Sequence, residues 1–596
     1  MKVGFLITGR FKSTRLPKKL LLEICSRPIL CHMIDRIKLS KIVDEIVLCT
    51  STNKQDDPLE ELAQKEQISV FRGDEDDVVK RLYDASVQYN LDYLLNITAD
   101  CPFVDPVYAD EIVKAFESTG ADLIRAFGLP HGAFSYGIRP TALEKVMEIK
   151  EDRETEVWGR YFTDIDLFNV YDLPIKNPLH RQPGLRMTLD YPEDFAFFEA
   201  VFDHLYKEDN VFSLDEILNL LQKHPEIVMI NRDCAKSFLK RFRRQGEIYL
   251  KPRYEITKAA IIGCGSIGQR HIRNLQKLGV TDIVALRSRK GHYQDLPAEF
   301  AVHEVDDWHK LLEQHVDIAI VSNPTSMHME TASRLLPWAK GIFVEKPLGH
   351  SIDKIDKFLE QVEKSKAILY VGYNLVFHKA VQVVKEFLSK DDIGATLSFQ
   401  AQVGYWLPKW HPYEDFKKAY YARKDLGGGV IMTLIHEIHL AQEFFGDVAS
   451  VYCLISPSDV LPLKVDTIAD LMMHHKSGVV SQLHLDFVQL PLHRSGVISC
   501  EKGWIRYDLA NGIVFAQIDG EDTPECLWEE TDYDSNQQYL DEMQAFLRFV
   551  REGRIRHPFD AWHAVHTMAI VDAAFASASC GAVKEVADRA ISTTLG

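Results

Sequence analysis

Five basic side chains fall within twelve residues near the start of the chain, in the stretch RFKSTRLPKKLL from Arg10 to Leu21. The stretch follows the apolar run Val3–Ile7, which is typical of a buried strand. Because ligands of a parallel sheet bind at the carboxyl ends of its strands, cations placed directly after the first strand could neutralise a triphosphate. Taken alone, the pattern also fits a charged loop in solvent.

Two acidic residues follow apolar strands further along the chain. Asp100 ends the strand in NITADCPFVDP, and Asp190 ends the strand in RMTLDYPEDF. A carboxylate at such a position is costly unless it holds a cation. The acids and the basic stretch together predict a magnesium-nucleotide site, in which Asp100 and Asp190 hold Mg2+ and the cations hold the phosphates.

A second kind of chemistry is indicated by AIIGCGSIGQRH, where Gly263, Gly265 and Gly268 have the G-x-G-x-x-G spacing. The spacing is meaningful here because it follows an apolar strand and opens a helix. Glycines in this context let a dinucleotide pyrophosphate approach the helix N-terminus. We therefore predict a dinucleotide site, with a purely structural tight turn as the alternative.

The next strand of this region ends in basic residues. About twenty residues after the glycines, where an NAD enzyme usually carries an acid for the ribose hydroxyl, the chain has Arg287, Ser288 and Arg289. Arginine at this point favours a 2′-phosphate, so NADP is predicted over NAD. The alternative is that both arginines only face solvent.

The elements that must position these residues alternate between strands and helices. KVGFLIT, DEIVLCTS and DYLLNIT are typical of buried parallel strands, and KAAIIG opens a second series of the same kind. After Tyr373 the strands alternate with hairpin-length gaps, which predicts a large open antiparallel sheet. The fold class is therefore α/β: a nucleotidyltransferase-type Rossmann-like sheet, then a dinucleotide-binding Rossmann domain, then an α/β domain with that open sheet.

Composition limits the partners. The chain has 596 residues and a net charge of -18, which argues against nucleic acid or an anionic membrane as a general partner. No run of 18 apolar residues occurs, so no membrane span is expected. The ten cysteines form no C-x-x-C pair, which favours reduced thiols and a cytoplasmic location.

The basic stretch resembles the R-x-x-S-T-R-L-P-G-K-x-L signature of the cytidylyltransferases that make CMP-sugars. Together with FRGDEDDVVKRLYDA, ITADCPFVDP and LRMTLDYPEDF, it is most similar to the spore-coat polysaccharide (SpsF-like) branch. The resemblance implies that Arg10, Arg15 and Lys19 bind the CTP phosphates, with Arg10 and Lys19 acting in catalysis, and that Asp100 and Asp190 hold Mg2+. It also places Thr50, Ser51, Arg72 and Gly73 at the base and ribose, and His131 to Gly137 at the acceptor.

One residue departs from this family pattern: Lys18 replaces the usual glycine. The substitution adds charge and restricts the backbone, since glycine permits conformations that lysine does not.

The segments SNPTSMHMETA, FVEKPLGHS, GYNLVFH and GGGVIMTLIHEIHLAQEFFG resemble the Gfo/Idh/MocA oxidoreductases. The resemblance implies that Lys346 contacts the substrate hydroxyl and the nicotinamide ribose, and that His436 is the general acid/base. It implies these cofactor-binding residues: Gly263, Gly265, Ser266, Ile267, Gly268, Arg287, Arg289, Asn323, Glu345 and Lys346. It implies these substrate contacts: Trp410, Asp415, Tyr420 and Arg494.

This half also departs from its family. Many relatives have Asp three residues before and three residues after the histidine, whereas this chain has Thr433 and His439. Loss of a carboxylate could lower the basicity of His436, transfer its role to Lys346, or weaken the reductase.

The two resemblances divide the chain into a cytidylyltransferase domain at 1–245, a linker at 246–256, an NAD(P)-binding Rossmann domain at 257–375 and a substrate and oligomerisation domain at 376–596. They imply a bifunctional enzyme of surface-polysaccharide sugar biosynthesis, with CTP, Mg2+, a nicotinamide cofactor and a small sugar acid or sugar or polyol phosphate as ligands. The expected assembly is a homo-oligomer. The alternatives are that only one half is active while the other is a scaffold, or that the protein senses nucleotides without turnover.

Overall fold

The computed structural model describes residues 1–12, 15–152, 154–208, 210–232, 234, 248–289, 295–389, 393–411, 414–456, 460–530 and 533–587. Ser13 and Thr14 of the basic stretch and residues 246–247 of the predicted linker lie outside the described residues. The chain forms two compact units, one over Met1–Lys251 and one that begins at Pro252. Among the described residues, no helix is both long enough and apolar enough to cross a membrane.

The first unit contains these strands: β1 (Val3–Thr8), β2 (Glu23–Ile24), β3 (Arg27–Pro28), β4 (Glu45–Ser51), β5 (Ser69–Gly73), β6 (Tyr93–Thr98), β7 (Leu123–Arg125), β8 (Tyr136–Ile138) and β9 (Val170–Asp172). It contains these helices: α1 (Ile29–Ile37), α2 (Asp57–Lys65), α3 (Val78–Gln88), α4 (Pro106–Thr119), α5 (Pro140–Ile149), α6 (Arg160–Thr163), α7 (Pro192–Leu205), α8 (Leu214–Lys223) and α9 (Pro225–Ile230).

The first unit is built on one twisted sheet in the order β5-β4-β1-β6-β8-β7-β9. β1 lies between β4 and β6 and is parallel to both, so Thr8 is level with Cys49 and Thr98. Every residue of β1 is buried, as expected for a strand with helices on both faces. This register brings the residues that follow β1, β4 and β6 to one edge of the sheet.

The second unit begins with six strands: β10 (Lys258–Ile262), β11 (Asp282–Leu286), β12 (His303–Val305), β13 (Ile318–Val321), β14 (Gly341–Glu345) and β15 (Ile368–Gly372). Its helices in this region are α10 (Ser266–Lys277), α11 (Trp308–Leu312), α12 (His328–Leu335) and α13 (Ile355–Ser365). The strands form an all-parallel sheet in the order β12-β11-β10-β13-β14-β15. This is the doubly wound order of a dinucleotide-binding domain, and it confirms the predicted Rossmann fold.

The rest of the second unit contains β16 (Thr396–Gly404), β17 (Val448–Ser456), β18 (Ile468–His475), β19 (Val480–Asp486), β20 (His493–Cys500), β21 (Gly503–Asp508), β22 (Ile513–Ile518), β23 (Glu525–Glu529) and β24 (Lys584–Glu585). Its helices are α14 (Lys379–Leu388), α15 (Leu407–Trp410), α16 (Val430–Thr433), α17 (His436–Phe445), α18 (Gln537–Glu552) and α19 (Ala561–Cys580). Within the described ranges, nine strands form one sheet in the order β23-β22-β21-β20-β16-β19-β18-β17-β24.

This large sheet is mixed, which corrects the prediction of an antiparallel sheet. β16 pairs with β19 in parallel, from Ser398 opposite Val480 to Gly404 opposite Asp486. β16 also pairs with β20 in the antiparallel sense. Alternating polarity predicts the strands, but it does not fix the direction of a strand whose partner lies far along the chain. In β18 every second residue is buried, as expected when one face of a sheet is covered.

The division between the units falls inside the predicted linker. Ile248 and Leu250 are buried in a hydrophobic cluster of the first unit, and Leu250 forms an isolated bridge with Lys150. Residues 248–251 are therefore packed as part of the first unit.

Candidate functional site

The basic stretch after β1 contains a strained backbone position. Lys18 has φ 54°, in the left-handed region, and it precedes a short 3-10 turn over Lys19–Leu21. The amide of Leu21 donates to the Lys18 carbonyl at 2.9 Å and closes this turn. Glycine reaches this conformation without steric cost, which explains why the family signature has glycine here and why Lys18 is strained.

The turn places the Lys19 ammonium between the two predicted metal ligands. Lys19 Nζ lies 2.8 Å from Asp100 Oδ2 and 3.0 Å from Asp190 Oδ1. The other oxygen of Asp100 accepts a hydrogen bond from Thr98 Oγ1 at 2.5 Å. Each acid thus directs one carboxylate oxygen to the same point.

These two oxygens fit a divalent cation. Carboxylate oxygens are the hard donors that Mg2+ prefers, and Mg2+ is usually held by one or two carboxylates together with substrate phosphates and water. A cation at the point now occupied by Lys19 Nζ would be within reach of both Asp100 and Asp190. The donor set therefore agrees with the predicted magnesium site.

A buried group that the sequence did not reveal holds Asp190 in place. Arg186 Nη2 donates to Asp190 Oδ2 at 2.9 Å, and Arg186 also pairs with Asp194 through Nε at 3.0 Å and Nη2 at 2.9 Å. The Asp194 side chain, which is fully buried, also accepts from the amides of Asp190 and Tyr191 at 2.9 and 3.0 Å, and from Asn231 Nδ2 at 3.0 Å. Asp194 therefore fixes both the backbone and, through Arg186, the side chain of the predicted metal ligand.

The central acid and cation are both charged. Burial would raise the pKa of Asp100, but the Lys19 ammonium and its hydrogen bond outweigh burial and hold that pKa at about 2. Burial would lower the pKa of Lys19, and the two carboxylates raise it above its ordinary value. The site is thus ionic at neutral pH.

The other cations predicted to bind phosphate are also paired with acids. Arg15 Nη2 lies 3.1 Å from Asp190 Oδ1. Arg10 Nη1 lies 2.8 Å from Asp76 Oδ1, and its Nη2 lies 3.6 Å from Glu156. A triphosphate would have to compete with these carboxylates for Arg10, Arg15 and Lys19.

The residues predicted at the base and ribose meet at the ends of two neighbouring strands. Thr50 is level with Arg72, and Ser51 is level with Gly73, in the parallel pair β4–β5. The hydroxyl of Thr50 is buried and has no hydrogen-bond partner among the described residues. A methyl group added at Gly73 would come within 2.7 Å of a ring carbon of Phe71, so this strand end tolerates only glycine without rearrangement.

Arg72 is engaged by other protein groups. Its Nε donates to the Ser51 carbonyl at 2.9 Å, and its Nη1 pairs with Asp57 at 2.7 Å and Glu60 at 2.9 Å. The Arg72 side chain thus links β5 to β4 and α2 by hydrogen bonds. A ligand would have to compete with Asp57 and Glu60 for its guanidinium group.

Asp56, which is fully buried, connects Ser51 to the basic stretch. Its Oδ2 accepts from Ser51 Oγ at 2.5 Å, and its Oδ1 accepts from the amide of Phe11 at 2.8 Å. Sequence reasoning missed this residue, because a buried acid within a turn of ordinary polar composition carries no local signal.

The segment predicted to contact the acceptor is tightly packed against the residues that lead to Asp190. These residues do not form the predicted strand, because Arg186 makes only an isolated bridge with His131. A methyl group added at Gly132, which has φ 99°, would lie 2.2 Å from the Met187 carbonyl oxygen. The hydroxyls of Ser135 and Thr188 are buried without a hydrogen-bond partner in the part of the chain that the structure describes. Two unsatisfied hydroxyls in these two segments are suited to a hydroxyl-rich ligand.

In the second unit, the three glycines after β10 serve two different purposes. A methyl group at Gly263, which has φ 97°, would lie 2.5 Å from the Asn323 amide, and one at Gly268 would lie 2.1 Å from the Gly263 carbonyl oxygen. A methyl group at Gly265 would meet no atom within 4 Å. The outer glycines are therefore required by packing, and open space lies over Gly265, just before Ser266 and Ile267 start α10. This cradle fits a pyrophosphate at the helix N-terminus.

The two arginines after β11 share one acid. Arg287 Nη1 lies 3.2 Å from both oxygens of Glu304, and Arg289 Nη2 lies 3.0 Å from Glu304 Oε2. Glu304 belongs to the neighbouring strand β12, so its position could not be inferred from the spacing of the glycines. The charge of Arg289 also acts on Asp306, so two carboxylates offset the positive charge of the two guanidinium groups.

Glu345 is the last residue of β14, and Lys346 and Pro347 follow it. The peptide bond before Pro347 is cis. Glu345 Oε1 lies 2.7 Å from His271 Nε2, and Lys346 Nζ donates to the Thr433 carbonyl at 2.6 Å. Removal of the Lys346 ammonium from solvent lowers its pKa to about 8, although the charge of Glu345 opposes the shift. Lys346 can therefore exchange a proton near neutral pH.

His436 is the first residue of α17 and is buried. Burial, followed by the charges of Lys346 and Arg494, lowers its pKa well below the ordinary value, so the ring is neutral. Its Nδ1 and the hydroxyl of Thr433 are both buried without a hydrogen-bond partner, as far as the described ranges extend. These atoms mark the place where relatives carry an aspartate.

Asn323 completes the cofactor side of this cluster. Its Nδ2 donates to Thr331 Oγ1 at 2.8 Å, while its Oδ1 is buried and lacks a partner in the described residues. An unsatisfied acceptor beside the glycine cradle is suited to a donor on a bound nucleotide.

The predicted substrate contacts lie in three environments: an ion pair, an aromatic cluster and an exposed loop. Arg494 forms a two-point pair with Glu437, at 2.7 and 3.0 Å, directly beside His436. Trp410 packs against Tyr405, His411 and Tyr421, with ring centroids 5.4, 4.9 and 5.1 Å away.

Tyr420 and Asp415 belong to the same loop. The ring of Tyr420 lies 5.5 Å from that of Tyr421. The contacts described for Asp415 stay within its own loop, at the Lys417 amide and Lys418 Nζ. The structure therefore brings Trp410 and Tyr420 into one aromatic cluster, while Asp415 bonds locally.

Comparison with known families gives three matches. The cytidylyltransferase family model matches residues 5–238. A model described as an oxidoreductase family with an NAD-binding Rossmann fold matches residues 257–373, and the GFO/IDH/MocA C-terminal domain model matches residues 381–506.

Several known proteins are similar to parts of the chain. An uncharacterized protein of Methanocaldococcus jannaschii is 32% identical over 40% of this chain and 97% of its own length. The spore coat polysaccharide biosynthesis protein SpsF of Bacillus subtilis is 29% identical over 37% of this chain and 95% of its own length. The myo-inositol 2-dehydrogenase of Thermotoga maritima is 28% identical over 23% of this chain and 42% of its own length.

A solved levoglucosan dehydrogenase with NADH and L-sorbose shares the fold of the second unit. It has a TM-score of 0.51 and 16% identity, and the match covers 56% of this chain and all of that protein.

Proposed function

We propose that this chain, which belongs to the cytidylyltransferase family through its first unit and to the Gfo/Idh/MocA oxidoreductase family through its second, is a bifunctional enzyme of surface-polysaccharide sugar biosynthesis. The observation that supports the proposal is that one chain carries two differently built clusters, each with groups suited to a nucleotide. Lys19 lies between Asp100 and Asp190 in the first unit, and a glycine cradle accompanies Lys346 in the second.

In the first unit, we assign cytidylyl transfer from CTP to a sugar acid or to a sugar or polyol phosphate. An acceptor oxygen forms a bond to the α-phosphorus, and the bond to the β-phosphate oxygen breaks to release pyrophosphate. Arg10, Arg15 and Lys19 hold the phosphates once these displace their present carboxylate partners. Positioning and charge neutralisation supply most of the acceleration.

Asp100 and Asp190 would hold Mg2+ in this reaction. The bound ion would supply further neutralisation of phosphate charge. Arg186 and Asp194 keep Asp190 pointed at the site before any ligand arrives. Asp190 Oδ2 is bonded to Arg186, so Oδ1 is the atom directed to the cation.

In the second unit, we assign oxidation of a sugar or polyol hydroxyl, or the reverse reduction. The glycine cradle and Asn323 would hold a nicotinamide cofactor, which would supply the hydride chemistry, and a protein group takes or gives the hydroxyl proton. Lys346, whose pKa is about 8, is better suited to this proton than His436, whose pKa lies well below neutrality. His436 then acts as a neutral hydrogen-bonding group beside the reacting hydroxyl.

The cofactor and the substrate classes rest on different features. Arg287 and Arg289 favour a 2′-phosphate, so we propose NADP, with NAD as the alternative because Glu304 offsets part of their charge. A polysaccharide role is supported by the similarity to SpsF, and a polyol-like substrate by the similarity to an inositol dehydrogenase. Fusion of the two units would raise the local concentration of a shared intermediate.

The test follows both reactions in the full chain. The protein is incubated with CTP, Mg2+ and candidate acceptors while pyrophosphate is measured, and in parallel with nicotinamide cofactors and sugars while nicotinamide absorbance is measured. We expect Asp100→Ala to remove pyrophosphate release and leave hydride transfer intact, and Lys346→Ala to do the opposite.

Two other results would replace the proposal. If only one of the two reactions occurs in the unchanged protein with all candidate substrates, one unit is a scaffold. If CTP binds tightly and no pyrophosphate is released, the protein is a nucleotide sensor.

A further inference from the structure

A basic residue on the cofactor helix lies close to the catalytic edge of the second unit. α10 starts directly after the glycine cradle, and His271 on this helix bonds Glu345 at 2.7 Å, next to Lys346. Arg270 is the neighbour of His271 and begins the same helical turn. Arg270 therefore follows the glycine cradle by two residues. The hydrogen bond of its neighbour His271 to Glu345 ties the same helical turn to the residue before Lys346.

The Arg270 guanidinium is half-buried and packs on an aromatic ring. It lies over the ring of Tyr539, 4.3 Å from the ring centroid. In the residues that the structure describes, no acid approaches it within salt-bridge distance, in contrast to Arg494 and Arg287 of the same unit, which pair with Glu437 and Glu304. A half-buried cation without a counter-ion is unfavourable unless a ligand supplies the charge.

The surroundings of Arg270 include the aromatic cluster around Trp410. The charge of Arg270 contributes to lowering the pKa of His411, after burial and against the opposing charge of Glu414. His411 in turn stacks on Trp410, with ring centroids 4.9 Å apart. Glu414, the acid of this cluster, accepts from Tyr421 Oη at 3.1 Å instead of pairing with Arg270.

We propose that Arg270 is the anion-recognising residue of the oxidoreductase site, and that the substrate of this unit is a sugar bearing a carboxylate or phosphate. The guanidinium would form a charge-assisted hydrogen bond with the substrate oxyanion, while Trp410 and its neighbours cover the sugar ring. The inference rests on the proposed oxidoreductase function, and it narrows the substrate class from sugars in general to anionic sugars.

Anionic sugars would also connect the chemistry of the two units. A cytidylyltransferase acceptor that is a sugar acid or a sugar phosphate carries the same kind of oxyanion. A shared intermediate would therefore present to Arg270 the group that Arg270 is suited to bind.

The test measures binding to the full chain loaded with NADPH, by the change in nicotinamide fluorescence. The probes are D-glucuronate, D-glucose 6-phosphate and D-glucose. We expect the two anionic probes to bind at least about tenfold more tightly than glucose, because only they can form a charge-assisted hydrogen bond with the guanidinium. Arg270→Gln should abolish this preference, and Arg270→Lys should keep part of it.

Arg273→Gln provides a matched control. Arg273 lies on the same helix and its guanidinium lies 5.0 Å from the Phe300 ring centroid, but the residue is exposed to solvent. We expect R273Q to leave both the fluorescence of bound NADPH and the preference for anionic probes unchanged.

Three outcomes would overturn the inference. Glucose could bind as tightly as the anionic probes, R270Q could keep the preference, or no probe could bind to the loaded protein. If R270Q weakens NADPH itself and leaves probe discrimination intact, Arg270 serves the cofactor phosphates instead. Failure of the unchanged protein to bind NADPH or NADH would count against the proposed oxidoreductase function, and it is separable from the other results.

Discussion

The two candidate sites differ in the partner of their central lysine: carboxylates surround Lys19, whereas Lys346 donates to the backbone carbonyl of Thr433. In the first unit, each cation predicted to bind phosphate is already paired with a carboxylate, as Lys19 is with Asp100 and Asp190. In the second unit, His436 Nδ1 and Asn323 Oδ1 are buried without partners among the described residues.

This difference matches the chemistry proposed for each unit. A site for a triphosphate and a metal ion must hold several charges, and carboxylate pairing keeps those charges fixed before the ligand arrives. A site for proton and hydride transfer instead uses desolvation, which moves the pKa of Lys346 toward neutrality. Substitutions that remove a charge should therefore have the largest effects on activity in the first unit. In the second unit, the largest effects should come from substitutions that change the pKa of Lys346.

The largest effect is expected from Asp190→Asn. Loss of this carboxylate removes a predicted metal ligand and a counter-charge of Arg15, Lys19 and Arg186. Pyrophosphate release should fall about 1,000-fold, since a metal ion contributes several kcal/mol of charge stabilisation. Hydride transfer, measured on the same preparation by nicotinamide absorbance, should not change. A loss below about tenfold would place the metal elsewhere.

The next effect is expected from Asp194→Asn, because Asp194 holds Asp190 without facing the ligand. The binding of Mn2+ or Mg2+ with CTP, measured by calorimetry, should weaken about 10- to 100-fold, as for other groups that orient metal ligands. The milder Asn231→Ala removes one of the hydrogen bonds to Asp194 and should show a smaller shift in the same direction.

A control separates this role from general destabilisation. Asp110 is a buried acid of the same unit that accepts hydrogen bonds from Ser40 Oγ and the Lys41 amide. Asp110→Asn should leave metal affinity unchanged. Equal weakening by D110N and D194N would mean that Asp194 acts only through stability.

The pH dependence of hydride transfer should show the contrast between the units. Lys346 has its pKa lowered to about 8, so its neutral form, which accepts the hydroxyl proton, accumulates above that pH. The rate of substrate oxidation should rise through pH 8, and the rate of the reverse reduction should fall. An oxidation profile that is flat from pH 7 to 9, about one unit on either side, would exclude Lys346 as the titrating group.

Thr433→Asp should move this inflection upward by about one pH unit, because a carboxylate favours the charged form of a neighbouring ammonium. Thr433→Asn, similar in shape and uncharged, is the matched control and should leave the inflection in place. An unchanged inflection in T433D would mean that the residue lost from the family pattern does not control proton affinity here.

The smallest effect is expected from Lys18→Gly. Lys18 is exposed and strained at φ 54°, and glycine relieves this strain by about 1 kcal/mol. The denaturant midpoint of the first unit should rise. Lys114→Gly, at an exposed position inside α4, should lower it by a similar amount. A lower midpoint for K18G would show that the Lys18 side chain stabilises the loop.

Much of the molecule could be predicted from local sequence. The glycine spacing with its strand and helix, the E-K-P segment and the basic stretch led to the two families and to the Rossmann sheet. Asp100 and Asp190 do meet at Lys19, but the strand rule accounts for Asp100 alone, which follows β6. Asp190 follows an irregular segment that is held to His131 by an isolated bridge at Arg186.

The partners of these residues could not be predicted. Glu304 on β12 pairs with Arg287 after β11, and Glu437 on α17 pairs with Arg494 on β20. Nothing in the local pattern fixes which acid a guanidinium will meet. Arg186 and Asp194 hold Asp190 by hydrogen bonds that form only once the chain has turned at the start of α7, and the sequence does not show these contacts. The parallel direction of β16 relative to β19 depends on the long chain segment that connects these two strands. The alternation of polar and apolar residues within β16 carries no information about that direction.

The central claim is that one chain carries two independent nucleotide sites, and calorimetric titration of the full chain tests it most directly. With Mg2+ present, CTP should bind once per chain, and NADPH should then bind once per chain to the CTP-saturated protein with unchanged affinity. Asp190→Asn should remove the first binding event alone. Displacement of CTP by NADPH, or a single binding event for the two nucleotides together, would contradict the account.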